Sequence, residues 1–89
     1  MHFMIVNRTR TDLTPDEMVE LGRLAQAFYE GIPEGVVLHG DWTATDMSRT
    51  FSVLEAESAE VIEKIQEPFR PYVDMELVPV QPVTGWGKR

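Results

Sequence analysis

The stretch VVLHGDWTATDMSRTFSV, residues 36–53, decides the architecture. β-branched and aromatic residues flank a polar middle at 43–48, so it reads as two hairpin strands, 36–42 and 49–54. A register pairing Trp42 with Arg49 sets His39 opposite Ser52 and Asp41 opposite Thr50. On the other side it sets Leu38 against Val53 and Gly40 against Phe51. The polar and apolar rows then separate, whereas a slip of one residue would mix them.

Working outward, HFMIVN at 2–7 is a continuous apolar run, as expected of a central strand covered on both faces. TPDE at 14–17 places Thr14 at a helix N-cap, Pro15 at the first helical position and Glu17 at the third. Met18, Leu21, Leu24, Ala25 and Phe28 follow at helical spacing until Gly31-Ile32-Pro33 stops the helix. Beyond the hairpin, Ser58 is the expected cap of a second helix, with Val61, Ile62 and Ile65 on its inner face. Pro68 and Pro71 end that helix around Phe69. VDMELVPV at 73–80 alternates as a strand, and a Pro/Gly tail occupies 81–89.

The order is β-α-β-β-α-β, the split βαβ or ferredoxin-like pattern of the α+β class. It predicts one domain over 1–80 with a four-stranded antiparallel sheet in the order 4-1-3-2. Right-handed crossovers put both helices on one face.

Composition narrows the function. The chain has 89 residues, no cysteine and a net charge of −7. A disulfide framework and a thiolate zinc site are therefore excluded. A nucleic-acid partner is disfavoured, because that affinity rests on a basic surface, and so is an anionic membrane. No run approaches the ~20 apolar residues of a membrane span, and MHFMIVNRTR lacks the features of a signal peptide. A cytoplasmic protein is expected.

Two helices cover one face of such a sheet. The row Leu38, Phe51, Val53, Met75 and Leu77 is expected beneath them. The other face would hold His39, Asp41, Thr50, Ser52, Asp74 and Glu76, interleaved with Met4, Val6, Val37, Leu54, Val78 and Val80. A patch so apolar implies a partner, and a second copy of the chain is the expected one, as a two-fold homodimer through this face. The pattern resembles the dimeric α+β barrel proteins. More narrowly, MHFMIV at 1–6 and VDMELVPV at 73–80 resemble an uncharacterised family of short bacterial proteins of that fold. The wider superfamily includes cofactor-free monooxygenases, muconolactone isomerases, haem-dependent chlorite dismutases and ligand-binding regulatory modules. No catalytic signature of these transfers residue by residue, so the resemblance implies the fold and leaves function open.

His39 and Asp41 stand two apart on one strand, ~6.5 Å between Cα atoms, and form the candidate catalytic pair. His39 would act as general base with Asp41 as its orienter. A serine hydrolase would further need an oxyanion hole and an exposed nucleophile turn, and neither is visible. Trp42, Ser52, Thr50 and Phe28 are the candidate ligand contacts. A metal set from His39, Asp41, Glu76 and His2 would span both sheet edges, so no metal and no cofactor are expected. Trp86 in the tail is expected to anchor against a second subunit, and GWGKR lacks the following helix of a phosphate loop. The acids Glu55, Glu57, Glu60 and Glu63 read as the solvated face of the second helix. The expected function is a homodimeric accessory module holding a small apolar or aromatic molecule. The alternative is a small cofactor-independent isomerase, decarboxylase or monooxygenase.

Overall fold

The computed structural model describes residues 1–83. The expectations for Trp86 and GWGKR lie outside the described residues. The elements are β1 (His2–Thr9), α1 (Pro15–Glu30), β2 (Val37–Thr43), β3 (Thr50–Glu55), α2 (Ala59–Gln66), a 3-10 turn (Glu67–Phe69) and β4 (Val73–Val80). The strands form one antiparallel sheet in the order β2-β3-β1-β4, which is the expected 4-1-3-2 read from its other edge.

Local chemistry sets the helix starts. The Thr14 hydroxyl accepts from the Glu17 amide at 3.2 Å, and the Glu17 carboxylate accepts from the Thr14 amide at 2.9 Å. Two otherwise orphaned donors are thereby satisfied, with Pro15 needing none. Gly31 closes the other end through its N–H to Ala27 and Phe28 carbonyls. Ser58 occupies the N-cap of α2 in extended conformation but makes no side-chain bond there.

The sheet is best read as rows across its four strands. Beneath the helices run Leu38–Leu54–Phe3–Pro79, then Asp41–Ser52–Ile5–Leu77, then Thr43–Thr50–Asn7–Met75. The opposite, open face carries Val37–Glu55–His2–Val80, then Gly40–Val53–Met4–Val78, then Trp42–Phe51–Val6–Glu76. This corrects two expectations. Trp42 pairs with Phe51 rather than Arg49, and Asp41 pairs with Ser52 rather than Thr50. The register also breaks between Leu38 and Gly40, so His39 is the extra residue of a β-bulge.

The faces change with it. Phe51 and Val53, expected under the helices, stand on the open side, and Thr50, Ser52, Leu54 and Asp41 stand on the helix side. Leu38, Met75 and Leu77 do pack against the core as expected.

That core is small. Phe3, Leu54 and Ile62 are its fully buried large side chains, joined by Ile5, Val36 and Ala56. Helix α2 drives Ile62 into it, whereas none of the sixteen residues of α1 is buried. Helix α1 stands off the sheet, and space remains beneath it.

Candidate functional site

A cavity of about 290 Å³ separates the helix-side face of the sheet from the two helices. Ile5, Leu54, Phe28, Ile65 and Met75 give it apolar walls. Its polar groups are Thr50 and Ser52 from β3, Asn7 and Thr9 from β1 and Tyr29 from α1. Gln66, 2 % exposed, adds a buried amide.

These groups form a chain of contacts. Ser52 Oγ donates to Asp41 Oδ1 at 2.9 Å, and the Tyr29 hydroxyl donates to Asp41 Oδ2. Asp41 thus ties edge strand β2 to its neighbour and to the last turn of α1. Asn7 Nδ2 donates to Thr50 Oγ1 at 3.1 Å, while its buried Oδ1 has no partner among the described residues. A buried acceptor left unpaired is uncommon and marks a place for a donor.

The open face carries a separate group. His39 Nε2 donates to Glu55 Oε1 at 2.8 Å, and His2 Nε2 stands 3.5 Å from the same oxygen. The bond from His39 holds the Glu55 carboxyl below the usual carboxylate range, the nearby His2 and His39 charges add to this, and partial desolvation opposes it. Glu55 is the last residue of β3, not part of a helical acidic face.

The expected site residues therefore divide. Thr50, Ser52 and Phe28 all line the cavity, and Asp41 bonds two of its lining residues. His39 and Asp41 are not brought together: the bulge leaves His39 with Glu55 on one face, and Asp41 bonds Tyr29 and Ser52 on the other. Trp42, 59 % exposed, lies on the open face and does not line the cavity. Its indole folds over Gly40 and leaves no room there for a β-carbon. Asn7, Tyr29 and Gln66 are the contributors that sequence patterning missed. Asn7, at the polar end of an otherwise apolar strand, was the one visible signal.

Among the described residues, no helix is long and apolar enough to cross a membrane. The chain superposes on SCO4226 from Streptomyces coelicolor A3(2) with a TM-score of 0.56 at 24% identity, covering 96% of this chain and 100% of that one. Muconolactone isomerase gives a TM-score of 0.64 at 22% identity, over 94% of this chain and 92% of that one. A conserved protein from Methanosarcina mazei Go1 gives 0.54 at 10% identity, over 91% and 94%. At such identities the likeness carries the fold, which is the ferredoxin-like α+β arrangement, and no activity. No curated protein matches the chain. The family described as "Domain of unknown function (DUF3303)" matches residues 1–88, and the chain belongs to that family.

Proposed function

We propose that this chain is a small-molecule-binding module of the cytoplasm, working as a homodimer joined through its open sheet faces. The cavity beneath α1 carries the reading: about 290 Å³, mostly apolar walls, and a few polar groups among them. Binding pockets have this composition, and this volume is near their lower end. It suits a one- or two-ring molecule. The unpaired Asn7 Oδ1 is an acceptor, so the ligand brings a hydroxyl or N–H donor. Asp41 and the net charge of −7 weigh against a carboxylate ligand.

Titrating isotope-labelled protein with phenol, indole and benzoate while following amide NMR shifts tests this reading. Saturable shifts for phenol or indole at Asn7, Phe28, Thr50 and Ser52, with little response to benzoate, are expected. Shifts confined to the open face, or none that saturate, would contradict it.

A second reading is a cofactor-independent isomerase, decarboxylase or monooxygenase with His39 as general base. Its support is the Glu55 carboxylate 2.8 Å from His39, which fixes the imidazole as an orienting acid does. Substrate would then sit on the open face, not in the cavity. His39→Gln would abolish turnover while leaving phenol or indole binding unchanged.

A further inference from the structure

His2, His39 and Glu55 come from three adjacent strands, at one end of the open face. His2 and Glu55 are direct partners across β1 and β3, and Val37 is the partner of Glu55 across β2. Alternation from Val37 sets His39 on the face that carries Glu55, and the bulge between Leu38 and Gly40 reverses the strand beyond it, turning Asp41 to the helix side. The result is compact: one ligand atom from each of the three residues lies within 4.8 Å of the others. The two imidazole centroids are 5.2 Å apart and their planes tilt by 32°.

We infer that His2, His39 and Glu55 bind one divalent transition-metal ion of the zinc class per chain. Two imidazole nitrogens and one carboxylate oxygen match the donors that Zn²⁺, Co²⁺ and Ni²⁺ prefer. The set has too few oxygens for Ca²⁺ or Mg²⁺. Around an ion held at about 2.0–2.1 Å, tetrahedral ligand atoms are roughly 3.3 Å apart. The present separations of 2.8 and 3.5 Å to Glu55 bracket that value. Small side-chain rotations close the shell, and the exposure of all three side chains, between 33% and 44%, leaves room for them. The ion replaces the His39 proton in the bond to Glu55. Three protein ligands leave a position for water, an added ligand or a group from a second copy. The set His39, Asp41, Glu76 and His2 weighed from the sequence does not assemble, because Asp41 faces the helices and Glu76 sits on the far edge strand.

Untagged protein freed of metal with a chelator is titrated with Co²⁺, followed by visible absorption, and the ion is then displaced with Zn²⁺. One saturable Co²⁺ per chain is expected, displaced by Zn²⁺ and unaffected by excess Mg²⁺. His2→Gln, His39→Gln and Glu55→Gln should each weaken binding by at least about tenfold, a size seen even when groups outside the ligand shell are lost. Glu76→Gln, on the same face but off the cluster, should change nothing. Metal-free melting curves establish that each variant is folded, and three independent variants guard against the loss of one. Absence of saturable binding, or binding that all three variants retain, would overturn the inference.

Discussion

Ser52 and Asp41 face each other directly across the β2–β3 ladder, joined by a 2.9 Å hydrogen bond on the side the helices cover. Tyr29 takes the other carboxylate oxygen, so one side chain links β3, β2 and α1. Because α1 buries none of its own residues, this link bears on how it sits over the cavity. Tyr29→Phe should cost about 0.5–1 kcal/mol in urea unfolding, the low end for a partly exposed bond. It should also speed amide exchange in the last turns of α1. In an Asp41→Ala background the same change should cost nothing further, because its partner is already gone.

Much of the fold was legible before any coordinates. The Thr14-Pro15-Asp16-Glu17 cap and the β4 strand follow from local chemistry that nothing distant overrides, and the strand order follows from the β-α-β-β-α-β pattern. The faces of β3 were misassigned because alternation presumes that the apolar side meets the core. Here Phe51 and Val53 face outward, and the inward Thr50 and Ser52 line a cavity instead of filling it. The bulge at His39 had one trace, Gly40, since glycine inside a strand often marks one. The separation of His39 from Asp41 follows from that bulge, which turns Asp41 to the helix side, while His39 keeps the face of Val37 and Glu55.

Burial and capping rank three substitutions. Ile62→Ala should cost about 2–5 kcal/mol, since its side chain is fully enclosed. Val19→Ala on the outer side of α1, 73% exposed, should stay within about 0.5 kcal/mol. Thr14→Ala removes the cap and should cost about 1 kcal/mol. Guanidinium denaturation of the four proteins checks the order.

Acid should expose the role of Glu55. Its carboxyl is held below the ordinary value of 4.5, chiefly by the bond from His39. The folded state thus binds that proton less readily than the unfolded chain. The contribution is fully present above pH 4.5 and is lost as pH falls through the lowered folded value. Asp46, lowered by its bonds from Ser48, adds to the same acid limb. Melting temperature against pH should fall less steeply below pH 4.5 in Glu55→Gln than in the parent chain. Parallel curves would show that the His39 bond is not maintained in solution.

The open face offers a clean test of assembly. Val53 lies mid-sheet between Gly40 and Met4, and Phe51 lies between Trp42 and Val6. Val53→Lys places a charge where two sheets would meet, without entering the core. It should shift sedimentation from dimer to monomer while far-ultraviolet circular dichroism stays unchanged. A parent chain already monomeric at micromolar concentration would rule out the face-to-face dimer.

The most direct measurement is native mass spectrometry of the untagged protein isolated gently from its own cells, beside an Ala25→Trp variant that fills the cavity wall. The parent should run as a dimer carrying one small organic molecule per chain, and the variant as the same dimer without it. A parent that runs as a bare monomer, or an organic mass that the variant keeps, would contradict the account.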